Sequence, residues 1–343
     1  MGKLINFLSA GLLLISGSLA CAQDQPPFEE WLQSLREEVL AQGISEETVA
    51  LAFSGITPPL QRIIETDRSQ PEVVQSYEDY LKARVSEWKI TNGLTRIGDH
   101  GDLLAEVEQA YGVQARFIVA IWGMESNFGT YPITESIFNV LATLAYDNRR
   151  GAMFRAQFLE AIKLLDSGFP GYENMKSSWA GAMGQVQFMP DNYRRYAVDH
   201  DGDGNADIWN SEADVFASIA NYLKSFGWDK SQTWGRRVKL PPGGETVLAA
   251  SQGDGLTPDR YCRSYNSLGA WRDLQAWQAL GVRQLDGADL PARSVAAALV
   301  MADKGDDEAY LVYRNFCSIM RYNPAFKYAL SIGLLSDQFN VEQ

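Results

Sequence analysis

Histidine is scarce in this chain, which holds only His100 and His200 among its 343 residues. The HExxH zinc helix cannot be built from them, and the sequence has no GxSxG nucleophile elbow. A histidine-assisted serine or cysteine nucleophile is therefore not the expected chemistry. Carboxylates remain as the main candidates for proton transfer near neutral pH.

An excess of positive charge is also missing, since 30 Lys and Arg stand against 43 Asp and Glu, a net charge of −13. Nucleic-acid binding rests on Lys and Arg contacts to phosphates, so this acidity argues against a nucleic-acid partner. The same acidity argues against electrostatic attachment to an anionic membrane surface.

Long apolar runs are absent beyond the N-terminus, so no later segment is expected to cross a bilayer. Residues 1–22 join Lys3 to an apolar run over 4–19 and end in small residues. This pattern predicts a cleaved secretory signal, and hence an exported protein. The alternative is an outer-membrane lipoprotein anchored at Cys21, although Ser18 stands where lipoprotein signals usually have Leu.

Cysteine is rare, with three residues in the whole chain. Only Cys262 and Cys317 would remain after signal removal. An oxidising compartment would permit a disulfide between them, but two cysteines in a long chain are a weak signal. The pairing stays open at this point.

Helical periodicity dominates the chain, with apolar residues recurring at three and four over 28–55, 77–90 and 152–165. From about 229 the character of the chain changes, with a strand and turn pattern at 238–244 and a segment rich in Gly, Ser and Asp at 251–269. These features predict a mainly α fold of the α+β class. The expected parts are a signal peptide at 1–22, an N-terminal helical domain at 23–100 completed by a C-terminal helix within 308–343, a core at 101–228, and a small β-containing domain at 229–307.

The candidate acid is Glu125, in the segment IWGMESNFG over residues 121–129. It stands at the end of an apolar helix and is flanked by Trp122, Met124 and Phe128. Burial among such side chains disfavours the ionised carboxylate and is expected to raise the pKa of Glu125. A carboxylic acid that stays protonated near neutral pH can donate to a departing glycosidic oxygen. The competing interpretation is a solvated glutamate at a helix end.

A second segment, SWAGAMGQVQFMP, runs from Ser178 to Pro190. Its small residues allow a backbone or a sugar to pack closely, and the Gln187 amide can both donate and accept hydrogen bonds. Taken alone, the segment fits a tight packing loop equally well.

Together these motifs resemble the membrane-bound murein transglycosylase B family. The resemblance extends from about Tyr80 to Gly227 and resumes in NFCSIMRYNPAFKYA at 315–329. It implies a lysozyme-like core that carries both motifs, with Glu125 as the sole catalytic acid and base. The positions that match the family's glycan groove are Tyr80, Arg149, Arg150, Ser178, Gln187, Phe188, Tyr322 and Asn323. Without the resemblance, each of these residues would more often be a core aromatic, a solvated arginine or a cap.

The implied activity is cleavage of the MurNAc–GlcNAc β-1,4 bond of peptidoglycan with formation of 1,6-anhydro-MurNAc ends. Two alternatives remain, a hydrolytic muramidase with the same groove and a catalytically silent peptidoglycan-binding protein. We expect glycan strands as the partner, a monomer, a weak association with other cell-wall enzymes and no organic cofactor.

A metal loop is predicted at DHDGDGNAD over 199–207, which has the spacing of an EF-hand. Its position 12 is Asn210 where the EF-hand has Glu. The related site of the resembled family suggests that Asp214 closes the shell. The predicted ligands of a structural Ca²⁺ are Asp199, Asp201, Asp203, Asn205 and Asp214, while sodium or a solvated acidic turn is the alternative.

Overall fold

The computed structural model describes residues 25–69, 75–258, 260–265, 268–301 and 309–340. The predicted signal segment and Cys21 lie outside these residues. Among the helices of the described part, none combines the length and the apolar character needed to cross a bilayer.

Helices make up most of the described chain as far as residue 225. They are α1 (Phe28–Ala41), α2 (Glu46–Phe53), α3 (Gln61–Arg68), α4 (Tyr77–Arg84), α5 (Glu87–Asp99), α6 (Gly101–Tyr111), α7 (Ala115–Ser126), α8 (Ile137–Tyr146), α9 (Gly151–Asp166), α10 (Pro190–Tyr196) and α11 (Glu212–Ser225). Ser45, Ser76 and Ser86 start α2, α4 and α5, since each side chain accepts a backbone N–H of the first turn. The predicted predominance of helix is confirmed.

Two short strands interrupt these helices, and four further strands and four further helices of the described chain follow residue 225. A two-stranded antiparallel sheet pairs β1 (Glu135–Ser136) with β2 (Lys176–Ser177). A four-stranded antiparallel sheet has the order β3-β6-β5-β4. Its strands are β3 (Gly235–Val238), β4 (Trp271–Asp273), β5 (Ala296–Met301) and β6 (Ala309–Val312), and the remaining helices are α12 (Glu245–Gln252), α13 (Leu274–Ala279), α14 (Arg314–Tyr322) and α15 (Phe326–Gln338).

Helix α7 lies at the centre of the main hydrophobic core. Its residues 117–121 are completely buried, and α5, α6, α11 and α15 pack around it. A helix that is apolar on every side is stable only when it is enclosed in this way. The enclosure holds the end of α7, where Glu125 lies, at a defined place in the molecule.

The four-stranded sheet is buried on both faces. Along β5, Ala298 and Val300 belong to the main core, whereas Ala297 and Leu299 belong to a second, smaller core. Strand β6 alternates in the same way, and Leu299 lies opposite Leu311 in the register. Successive side chains of a strand point to opposite faces. One face of this sheet therefore packs on the main core, which we call the helical body, and the other on the smaller core, which we call the small β-containing region.

A disulfide joins Cys262 to Cys317, with a Cα–Cα distance of 5.2 Å. It connects a loop that precedes β4 to the middle of α14. The pairing that the sequence left open is thus present, and it ties α14 to the small β-containing region.

Candidate active site

Glu125 lies in the last turn of α7, just before an unusual chain reversal. Asn127, Phe128 and Gly129 follow with φ values of 50°, 59° and 75°, all in the left-handed region. The reversal folds the Phe128 ring back onto α7, and a Cβ on Gly123 would lie 2.5 Å from that ring. Glycine at position 123 therefore makes room for the Phe128 ring in the reversal that ends α7.

The second motif forms a tight loop beside this helix end. Met183 and Phe188 pair through backbone hydrogen bonds, and Gln187 adopts a left-handed φ of 51°. Gln185 joins the two motifs, because its Oε1 accepts from Trp122 Nε1 at 2.7 Å and its Nε2 donates to the Trp209 carbonyl at 2.8 Å. The sequence motif contained Gln185, but its bridging role depends on contacts that the sequence does not display.

A cavity of about 390 Å³ opens where the two motifs meet. Its described lining residues are Tyr80, Arg84, Met124, Glu125, Asn127, Tyr131, Ser178, Trp179, Ala180, Ala182, Gln187, Tyr322, Asn323 and Tyr328. Glu125 is half-buried in this cavity. The lining combines one carboxyl group with phenols, amides and hydroxyls, the groups that recognise sugar hydroxyls and acetamides.

Tyr328 is the direct partner of the candidate acid. Its hydroxyl, on the buried face of α15, donates to Glu125 Oε1 at 2.5 Å. Tyr322 donates to the Val186 carbonyl at 2.6 Å and so connects α14 to the second motif. Burial, and secondarily the Glu125 charge, raises the pKa of both Tyr322 and Tyr328 well above the usual value. Both phenols therefore stay protonated near neutral pH.

Five of the eight predicted glycan-groove residues line the cavity: Tyr80, Ser178, Gln187, Tyr322 and Asn323. Ser178 Oγ accepts the Ala182 N–H at 3.3 Å, and Asn323 Oδ1 accepts the Ala325 N–H at 3.0 Å. Each of these two side chains thus shapes its own loop while it borders the cavity.

The other three predicted residues lie outside the described lining. Arg149 and Arg150 both form ion pairs with Asp67, a buried residue in the last turn of α3. Phe188 is 1% exposed and packs against the rings of Tyr222 and Tyr322. Phe188 is therefore a buried ring that packs against Tyr322, a residue of the cavity lining.

Sequence reasoning missed Tyr328 and Arg84, which line the cavity, and Lys89, which hydrogen-bonds to Gly123 and Asn127 beside it. Tyr328 lies inside the segment 315–329 that carried the family resemblance, so that segment held a usable signal. Lys89 had no such signal, because the sequence does not distinguish a buried lysine from an exposed one.

The predicted metal loop brings together three carboxylates. One oxygen from each of Asp199, Asp201 and Asp203 lies within 4.8 Å of the others, and all three residues are exposed. The Asp199 carboxylate also accepts the backbone N–H groups of Gly202 and Gly204. A cluster of hard oxygen donors at this separation fits Ca²⁺ chemistry.

Asp214, the predicted closing ligand, is completely buried and holds the loop from inside. Its two oxygens accept the backbone N–H groups of His200 and Asp207, each at 2.7 Å. Burial raises the pKa of Asp214, in spite of these hydrogen bonds. The side chain therefore joins both ends of the loop to the first turn of α11.

Comparison with known proteins identifies the class. A family model described as a transglycosylase SLT domain matches residues 27–337, so the chain belongs to that family. It is 33% identical over 259 residues to the membrane-bound lytic murein transglycosylase B of Escherichia coli (strain K12), a match that covers 75% of this chain. The matched part spans 65% of that relative's length.

Solved structures extend the comparison to the fold. SltB3 from Pseudomonas aeruginosa, in complex with NAG-anhNAM-pentapeptide, matches with a TM-score of 0.80 and 40% identity, over 91% of this chain and 79% of that one. The Escherichia coli lytic transglycosylase Slt35, in complex with calcium, matches with a TM-score of 0.72 and 25% identity, over 90% and 91%. The expected family and the mainly α, lysozyme-like fold are confirmed.

Proposed function

We propose that this protein is a lytic transglycosylase that cleaves the MurNAc–GlcNAc β-1,4 bond of peptidoglycan and leaves 1,6-anhydro-MurNAc ends. The observation that carries the proposal is the cavity in which Glu125 and its phenol partner Tyr328 meet both motif loops. The complex of SltB3 with a NAG-anhNAM fragment supports the same product for this chain.

The proposed reaction uses one carboxyl group twice. Protonated Glu125 donates to the glycosidic oxygen, the C1–O bond breaks, and its electron pair stays on the departing oxygen. The Glu125 carboxylate, stabilised by the Tyr328 hydroxyl, then takes the proton of the C6 hydroxyl on the same MurNAc. The C6 oxygen bonds to C1 and closes the anhydro ring, which regenerates protonated Glu125 without consuming water.

Intramolecular attack suits this site because it needs no second carboxylate to activate a water. Paired carboxyl groups serve that purpose in ordinary glycosidases. A hydroxyl on the same sugar has a high effective concentration once the ring is held in place. We assign that holding role to the residues beside Glu125, with Ser178 or Asn323 positioning the acetamide.

The test is a mass spectrum of digested sacculi, run beside Glu125→Gln and the matched control Glu173→Gln. Glu173 is exposed and outside the cavity, so its variant should keep wild-type activity. Glu125→Gln should keep the wild-type melting temperature and release no fragments. Products heavier by one water would instead favour the hydrolytic muramidase, and binding without any release by the wild type would favour a silent binding protein.

The second part of the proposal is a structural Ca²⁺ whose ligands are Asp199, Asp201, Asp203 and Asn205, with Asp214 as the ligand that closes the shell. It is supported by the three clustered carboxylates and by the calcium complex of Slt35. Ca²⁺ at 100 times its Kd would stabilise the fold by about 2.7 kcal/mol. The melting temperature should therefore rise with Ca²⁺ and fall with chelator, and Asp201→Asn should lose that response. A wild-type melting curve indifferent to both additives would remove the site.

The proposed setting is the periplasm, with peptidoglycan strands as the partner. The signal pattern at 1–22 and the relative described as membrane-bound support export. Lipid attachment at Cys21 is the alternative, and mass spectrometry of the mature protein from cell envelopes would distinguish a lipidated N-terminus from a free one.

A further inference from the structure

Lys89 is a buried lysine whose contacts converge on the catalytic helix. It lies in the first turn of α5 and is 5% exposed. Lysine is almost never buried to this extent unless its ammonium group is hydrogen-bonded. Here Nζ donates to the Gly123 carbonyl and to Asn127 Oδ1, the latter at 2.6 Å. The two acceptors lie two residues before and two residues after Glu125.

The bond to Gly123 replaces one that the helix has lost. In a regular α-helix the Asn127 N–H would bond to the Gly123 carbonyl. Asn127 is left-handed, however, and its N–H bonds to the Trp122 carbonyl instead. The Lys89 ammonium group donates instead to the Gly123 carbonyl, which the reversal deprives of its helical N–H partner. A cation at this point is favourable, because the last carbonyls of a helix carry partial negative charge.

The ammonium group also lies within electrostatic reach of the candidate acid. Burial, and then repulsion by Arg84, lowers the pKa of Lys89 to about 8, while attraction by Glu125 acts in the opposite direction. Arg84 borders the same cavity from the end of α4. Lys89 is therefore mainly charged near neutral pH, and Glu125 and Arg84 are among its charged neighbours.

We propose that Lys89 positions Glu125 for both halves of the glycan cleavage proposed above. Its ammonium group fixes the last turn of α7 to the left-handed cap, and its charge favours the carboxylate that forms when Glu125 gives up its proton. Lys89 lies outside the described cavity lining and acts through Gly123 and Asn127, so it is a positioning residue. The inference rests on the proposed transglycosylase function.

The test compares Lys89→Met, which removes the charge and keeps an unbranched stem, with Lys89→Arg and the control Lys82→Met. Lys82 is exposed on α4, so the control makes the same chemical change away from the site. Misplacement of a catalytic group by about 1 Å can cost about 100-fold in rate. We expect Lys89→Met to lower kcat by about 10- to 100-fold with KM within about twofold. The variant's pH–rate profile should move to higher pH, and Lys89→Arg should recover part of kcat.

Asn127→Gly provides a second variant that does not depend on the folding of Lys89→Met. Glycine adopts the left-handed conformation readily, so the substitution removes one acceptor of the ammonium group and keeps the backbone. Its kcat should fall, and the double variant should lose no more than Lys89→Met alone, because the two side chains act as one unit.

Three results would overturn the proposal: full kcat in folded Lys89→Met, additive losses in the double variant, or a defect confined to KM. If Lys89→Met does not fold, unchanged kcat in Asn127→Gly overturns it as well. Failure of the proposed function is distinct, since wild type and Lys82→Met would then both leave sacculi intact.

Discussion

The hydroxyl of Tyr328 is expected to set how readily Glu125 exchanges its proton. Tyr328→Phe removes one oxygen from a side chain that is 3% exposed and deletes the 2.5 Å bond to Glu125 Oε1. A hydrogen bond to a charged group contributes about 1.5–3 kcal/mol. If this donation stabilises the carboxylate formed in the first step, its loss lowers kcat by about 10- to 160-fold.

The sign of the pH effect follows from the same bond. A donor to the carboxylate favours the ionised form, so Tyr328→Phe should keep Glu125 protonated to higher pH. The alkaline limb of the pH–rate profile for sacculus cleavage should move up by about one to two pH units. Steady-state release of anhydro fragments across pH measures both effects.

A matched control is Tyr310→Phe, which removes another buried phenol oxygen. The Tyr310 hydroxyl is 2.8 Å from that of Tyr77, and Tyr310 lies on β6, outside the described lining of the cavity. Tyr310→Phe should change stability more than kcat and should leave the alkaline limb in place. An unchanged limb and an unchanged kcat in Tyr328→Phe would refute the assignment of Tyr328 as the partner of the acid.

Two further predictions concern stability. The Cys262–Cys317 disulfide closes a segment of 55 residues, and the chain-entropy model gives about 4 kcal/mol for a loop of that length. Urea unfolding of the double alanine variant should show a loss of this order, and an unchanged midpoint would contradict the entropic account. For Lys89, the pKa is about 8 when folded against an ordinary 10.5, so the unfolded chain binds more protons between these values. The free energy of unfolding of wild type relative to Lys89→Met should therefore rise as pH increases from about 8 to 10.5. This pH-dependent contribution of Lys89 is lost as pH falls back through about 8. Urea titrations of both proteins across this window measure the trend, and a flat difference would argue against a depressed lysine pKa.

Helix α7 could be predicted from sequence because its signals are local. The apolar residues before Glu125 predicted a helix there, and α7 spans Ala115–Ser126. The same holds for α9, whose predicted apolar stripe over 152–165 falls within Gly151–Asp166. Local periodicity is decided by residues three and four apart, so it survives without knowledge of the rest of the fold.

Strand β5 was not predicted, for a physical reason. Its sequence AAALVM is rich in alanine, which favours helices and is depleted in strands. Pairing with β4 and β6 on its two sides overrides that preference. Such pairing depends on chain segments far away in sequence, so no local pattern could display it.

The partners of charged and phenolic side chains were equally hidden. Tyr328 reaches Glu125 across 203 positions of the chain, and Arg149 reaches Asp67 across 82. The family resemblance could propose that Arg149 lines a glycan groove. It could not show that a buried carboxylate already holds the guanidinium.

The four-stranded sheet makes the molecule intolerant of changes in strand length. A single inserted residue in β5 would send Leu299 toward the helical body and Val300 toward the small region, because strand side chains alternate. One insertion would thus damage both cores at once. Length variation among related chains is therefore expected in the connections between these strands, and not within them.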